Sequence, residues 1–340
     1  MSQAFRRNLI AAAVLALALS VATSSAFAQY TNKALVKNTG KKGDKSLINP
    51  WGLVYGSGTY FWLSDEGSGL STLYDGSGNK QSLIVTIPTA SGSGTGSPTG
   101  IVFNGSGTGF RIDSWVSAFM FATLDGLICG WSHFDPNNAL IGVNNSSSGA
   151  VYTGLAINAA QTQVYAADLA NNKVDVYNSN WEFVTSFTDN SLPAGFAPFN
   201  VQDIGGQLYV AFAATNGGKG GYVDIFTESG TFVQTLISNG ELNQPWGFAL
   251  APSNFGALSN TLLVSNNTNT GTINGFNPTT GAFVGTVTGT NGKAIKINQL
   301  WGIEFGGGSA ENGNTNSLYY TAGPKNNADG IFGVLNVSGN

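Results

Sequence analysis

The chain has 340 residues and a net charge of −4, and only 9% of its residues are charged, against roughly 25% in an ordinary soluble domain. Charge this sparse, and acidic in balance, excludes a surface built to neutralise nucleic-acid phosphates. The single cysteine, Cys129, excludes an internal disulfide, and the single histidine, His133, excludes a zinc cluster built on several histidines.

Residues 1–28 read as a targeting segment. Arg6 and Arg7 supply a positive start, Leu9 to Leu19 is an apolar run too short to span a bilayer comfortably, and Ala26-Phe27-Ala28 fits the small-x-small cleavage rule. The expected mature chain is therefore one domain, 29–340, exported to the periplasm or the exterior. The paired arginines leave Sec and twin-arginine export both open. No later stretch is long and apolar enough for a membrane helix, and a monomer is expected.

Next along the chain stands a short β-type run, Lys33-Ala34-Leu35-Val36-Lys37. After it one pattern returns six times: Pro50-Trp51-Gly52-Leu53, Pro98-Thr99-Gly100-Ile101, Tyr152-Thr153-Gly154-Leu155, Pro198-Phe199-Asn200-Val201, Pro245-Trp246-Gly247-Phe248 and Leu300-Trp301-Gly302-Ile303. The glycine positions (Asn200 in the fourth copy) are 48, 54, 46, 47 and 55 residues apart. A period near fifty in a chain of short β-segments is the signature of propeller blades. Each copy is followed by a second run, such as Phe61-Trp62-Leu63, a polar loop, and a third run, such as Lys173-Val174-Asp175-Val176-Tyr177. A turn such as Asp75-Gly76-Ser77-Gly78 then leads to a fourth run. The sixth copy lacks its fourth run. The sequence thus predicts an all-β, six-bladed β-propeller whose ring is closed by residues 33–37 as the outer strand of the last blade, so that no sheet edge is left open there.

The motif has structural uses in every copy. Proline fixes φ at the entry to the inner strand, a large ring fills the wedge between blades, and glycine lets inner strands approach one another.

In a propeller the loop entering the inner strand and the loop joining strands two and three share one face. That face is expected to gather a polar and aromatic mouth. Its candidate ligand-binding residues are Trp51, Asp65, Glu66, Asp168, Asn200, Trp246, Asn266 and Trp301. No cofactor is required by the sequence. A bound Ca²⁺ or other divalent cation would use the oxygen donors Asp65, Asp168 and Asn266. The competing reading is that Asp and Asn occupy these loops because tight turns need them. His133 reads as a turn residue and Cys129 as a packed small residue, and no nucleophile motif accompanies them.

Asn49-Pro50-Trp51-Gly52-Leu53, Phe61-Trp62-Leu63-Ser64-Asp65, Gln244-Pro245-Trp246-Gly247 and above all Leu192-Pro193-Ala194-Gly195-Phe196-Ala197-Pro198-Phe199-Asn200 resemble an uncharacterised family of exported bacterial six-bladed propellers related to NHL-repeat proteins. The resemblance covers nearly the whole mature chain. It implies the propeller fold and export, and no established activity. More distant six-bladed relatives include lactonase-type hydrolases and streptogramin-type lyases, but the glutamate and histidine those enzymes place at their channels have no counterpart here. The expected function is binding of a small molecule, glycan or protein at the mouth, with no nucleic acid and no membrane segment. The alternatives are a metal-dependent hydrolase or lyase of the lactonase-like type, and a structural envelope or matrix component.

Overall fold

The structure, a computed structural model, describes residues 29–339; the expected targeting segment lies outside the described residues. About half of the chain is strand and 2% is helical, with six sheets in a ring that form a six-bladed β-propeller. Every blade is a four-stranded antiparallel sheet. The inner strands are Pro50–Val54, Pro98–Phe103, Tyr152–Ile157, Phe196–Asp203, Pro245–Leu250 and Leu300–Phe305. Inner, second and third strands are buried almost throughout, as in Phe61–Asp65 and Leu127–Trp131. They are covered on both faces by neighbouring blades, which is why they read as continuous apolar runs. Outer strands such as Phe183–Phe187 and Phe232–Ser238 are largely exposed.

The ring closes as the missing fourth run implies. The strand Tyr30–Lys37 pairs antiparallel with Ile331–Val337 and completes blade six. It begins three residues earlier than the sequence indicates, because Tyr30 has a packing role of its own. Its buried ring lies 4.9 Å from that of Phe255, and its hydroxyl donates to the Phe255 carbonyl at 2.8 Å. The closing strand is thereby fastened to blade five as well as to blade six.

All six copies of the motif produce the same irregularity. The pairing of inner and second strand shifts register between Pro50 and Leu53, Pro98 and Ile101, Tyr152 and Gly154, Pro198 and Asn200, Pro245 and Phe248, and Leu300 and Ile303. A bulge of this kind re-aims a side chain. The residue before the glycine position leaves the ladder: Trp51, Thr99, Thr153, Phe199, Trp246 and Trp301. The large rings therefore do not fill the wedges between blades. Leu53, Ile101, Leu155, Val201, Phe248 and Ile303, one residue after the glycine position, take that role, each in a core cluster shared with the preceding blade.

The glycines mark close approach between inner strands. A Cβ on Gly247 would sit 2.7 Å from the Trp301 carbonyl oxygen, and one on Gly302 would sit 2.7 Å from that of Trp51. In blade four Asn200 occupies this position, and its amide donates to the Trp246 carbonyl at 2.8 Å. Thr99 and Ser265 bond the carbonyls of Tyr152 and Trp301 at 2.7 and 2.6 Å, and Thr321 bonds that of Trp51. Each donor belongs to the blade preceding its acceptor, so side-chain bonds stitch neighbouring blades together near the axis.

One element has no counterpart in the sequence reading. A small hairpin, Arg111–Ile112 and Trp115–Val116, is inserted between the first two strands of blade two. Its turn residues Asp113 and Ser114 have positive φ without being glycine, which hides the usual hairpin signal.

Candidate functional site

At the face carrying the strand two–three loops, the axis is filled by aromatic rings. Trp51 and Trp301 stack with centroids 3.5 Å apart and planes 16° from parallel. Trp246 stands edge-on to both, at 6.1 and 5.8 Å, and Phe199 lies 6.2 and 5.8 Å from the same two rings. All four are buried, with Leu124 and Leu169 from the loops of blades two and three packed against them. The threonines at the equivalent positions of blades two and three leave room for this plug. Trp246 leans across the axis and donates its indole N–H to the Thr153 carbonyl at 3.0 Å. Trp301 donates to Asn49 Oδ1 at 2.9 Å, and Asn49 Nδ2 donates to Glu66 Oε2 at 2.7 Å. The indole N–H of Trp51 is buried without a partner.

The loops do share a face. In all six blades the first backbone N–H after the second strand bonds the carbonyl just before the inner strand, as in Glu66 to Asn49 and Asn267 to Gln244. Of the sequence-derived candidates, the fold brings Trp51, Trp246, Trp301 and Asn200 together on the axis, with Glu66 joined through Asn49. Asp65, Asp168 and Asn266 lie apart, at the ends of the second strands of blades one, three and five. Asp65 is fully buried and accepts from the Thr72 hydroxyl at 2.7 Å, while burial raises its carboxyl well above the usual range. Asp168 accepts from the Val151 and Asn171 N–H groups at 3.0 and 3.2 Å. Asn266 accepts from the Asn243 N–H at 3.0 Å and donates to the Glu241 carbonyl at 2.7 Å. Asp168 and Asn266 fasten loops around their own blades, and Asp65 ties the second strand of blade one to the third. Among the described residues, no three His, Cys, Asp or Glu side chains form a group able to hold a metal ion. His133 packs edge-on to Trp131, and Cys129 is buried, its thiol pushed up by desolvation.

Beyond the plug the axis opens into a cavity of about 260 Å³. Trp246 and Asn200 border it at the plug, and the inner strands line it as far as Tyr55, Phe103, Ile157 and Asp203 at their far ends. Its mouth thus lies on the face opposite the plug. The wall mixes aliphatic side chains with nearly as much polar surface. Two positions after the motif glycine (or Asn200) stand Val54, Val102, Ala156, Gln202 and Ala249 in five blades, and Glu304 in the sixth. Burial pushes the Glu304 carboxyl up to about 8. Glu304 in turn raises the neighbouring Tyr55 phenol, which burial has already shifted, to about 12. One residue further along the repeat the blades carry Tyr55, Phe103, Ile157, Asp203, Leu250 and Phe305. Here Asp203 is the exception, raised to about 6 by burial and by the Glu228 carboxyl beside it. Glu228 accepts from Asn158 Nδ2 at 3.3 Å.

The sequence reading missed Glu304 and Asp203. The signal that exposes them is comparison of the blades: each is the acid in a column of mainly apolar residues.

No family model matches the chain. Among solved structures it is similar to a Bacteroides thetaiotaomicron protein of unknown function, with a TM-score of 0.58 and 12% identity over 90% of this chain and 76% of that one. It is similar to a luciferin-regenerating enzyme, with a TM-score of 0.58 and 11% identity over 86% and 93%. Virginiamycin B lyase from Staphylococcus aureus gives a TM-score of 0.53 and 9% identity over 91% and 99%. At these identities the likeness is one of fold. Two Acanthamoeba polyphaga mimivirus proteins are similar in sequence. Uncharacterized protein R648 is 29% identical over 311 residues, covering 86% of this chain and 76% of its own length. Uncharacterized protein L690 is 30% identical over 315 residues, covering 86% of this chain and 81% of its own length. These relatives are viral, so the bacterial membership suggested by the sequence motifs stands outside what the matches show. With that identity sustained over most of both chains, the protein belongs to the family of Uncharacterized protein L690.

Proposed function

We propose that this protein binds a small molecule in the axial channel, entering from the face opposite the aromatic plug. The ligand is an amine with an apolar body. The aliphatic side chains of the wall take the body, and the acids Glu304 and Asp203 take the basic nitrogen. The observation that carries this reading is Glu304 itself, an acid lining the cavity in a column where the other blades carry Val, Ala or Gln. Among the described residues no side chain bonds or pairs with its carboxyl, which has only the backbone N–H of the next residue, Phe305, beside it. With its carboxyl raised to about 8, Glu304 carries a proton in the empty channel near neutral pH. A cationic amine would restore the carboxylate, so binding releases a proton. A concave pocket that joins apolar side chains to polar groups of shifted pKa is a usual form of a ligand site. Export of the protein is supported by the character of residues 1–28.

A thermal-shift screen of small apolar amines, neutral sugars, lactones and metal ions tests this at pH 7. Amines are expected to raise the melting temperature of the native protein, and Glu304→Gln is expected to weaken the best of them at least tenfold. No response to amines, or equal binding by Glu304→Gln, overturns the reading. Hits confined to lactones or sugars would replace the ligand class.

A further inference from the structure

In blades three, four and five the chain leaving the preceding blade's outer strand reaches the third strand, and polar residues meet there. In blade three, Asn145 Nδ2 approaches Asp175 Oδ2 at 3.5 Å, while the Tyr152 hydroxyl donates to that oxygen at 3.0 Å and Lys173 pairs with the other at 2.8 Å. In blade five, Asn274 donates to the Glu241 carbonyl at 2.9 Å and accepts from the Thr286 hydroxyl at 2.7 Å. In blade five the amide is bonded on both sides, and in blade three the carboxylate is neutralised by Lys173. In blade four the corresponding pair is Asp189 and Asp224. The carboxyls lie within hydrogen-bonding range of each other, with the Thr235 hydroxyl beside Asp224. Asp224 is 0% exposed and Asp189 9%. Neither oxygen of Asp224 receives a well-formed hydrogen bond, and Asp189 Oδ2 and the adjoining Thr188 Oγ1 are also buried without partners. Asp189 Oδ1 is occupied by the Ser191 N–H at 2.7 Å.

We propose that Asp189 and Asp224 hold a hard divalent cation between the blade three–four connection and blade four. Two carboxylates in contact away from water cannot both stay ionised without a compensating positive charge. A shared proton would satisfy one oxygen of each acid, but would leave the second oxygen of Asp224 with no more than the poorly formed contact of the Thr235 hydroxyl. A cation gives the unpaired oxygens of both acids a partner, and hard cations of the Ca²⁺ type choose carboxylate and neutral oxygen donors and complete their shells with water. The bound ion ties two successive blades together, so its effect is read in stability. The site is separate from the axial channel and does not depend on the ligand assigned there.

Calcium titration of chelator-treated protein at pH 8, followed by calorimetry and by melting temperature, tests the assignment, with Mg²⁺ as comparison. Saturable binding of one Ca²⁺ per chain and a rise in melting temperature are expected. Asp224→Asn should weaken that binding at least tenfold. It should also melt no lower than the metal-free native protein, because its new amide can donate to Asp189. Asp189→Asn should behave likewise. Absence of saturable divalent binding overturns the proposal. So does unchanged binding in both variants, which would place the ion elsewhere. A melting temperature that falls as pH rises through about 7 and ignores calcium would assign the pair a shared proton instead.

Discussion

The two ends of the axial channel are built from the same six inner strands and do opposite things. At one end the bulged motif turns three tryptophans and a phenylalanine onto the axis, and their indoles and neighbouring amides are bonded across the ring, the Trp51 N–H excepted. At the other end the same strands diverge around a cavity and keep an acid that no side chain pairs, with only the backbone N–H of Phe305 beside it. Groups satisfied by one another hold a fold together. A group left unsatisfied beside a cavity is available to a ligand. The difference separates the residues that close this propeller from those that give it a use, and it places the two on opposite faces.

The largest effect comes from removing what both ends share. Deleting residues 29–37 strips the outer strand from blade six and withdraws Tyr30 from its site against Phe255. The expected loss is about 5 kcal/mol or more, comparable with the whole stability of a typical domain. Chemical denaturation and limited proteolysis would show it. If the truncated chain unfolds at the native midpoint, the closing strand is not what holds the ring.

Trp301→Ala breaks the plug end alone. It removes the stacking partner of Trp51 and leaves a large void on the axis, with an expected cost of about 3–5 kcal/mol. Denaturant titration measures it, and a loss under about 1 kcal/mol would mean that the rings line a mouth and do not seal it.

The smallest effect sharpens the contrast from the other end. Glu304 binds its proton more tightly folded than unfolded, with its carboxyl raised from 4.5 to about 8. Its contribution to stability is complete below the unfolded value, declines as pH rises, and is lost through the folded value. Glu304→Gln should therefore be relatively more stable at alkaline pH, by about 1–2 kcal/mol between pH 5 and 9 once partial exposure is allowed for. Parallel unfolding curves for native protein and variant across that range would contradict a desolvated acid in the channel.

Part of the candidate site was legible in advance. The shared face of the entry loops and the strand two–three loops followed from blade topology, and the recurrence of tryptophan before glycine marked residues that meet. That they meet on the axis was not legible, because a bulge is a matter of hydrogen-bond register and the motif alone does not show which way the ring turns. Glu304 and Asp203 were hidden for another reason. Each sits inside a β-run, where an isolated acid reads as the polar face of an alternating strand, and only the curvature of the ring makes that position line a cavity.

The sequence by itself determined the number of blades, their order and the closure of the ring, because a repeat of six cores and five fourth runs leaves one sheet to be completed by the start of the chain. Tertiary structure alone decided which end of the channel is filled and which is open. It also decided which buried oxygens lack a partner, since that depends on distances between residues tens of positions apart, brought together by the packing of one blade against the next.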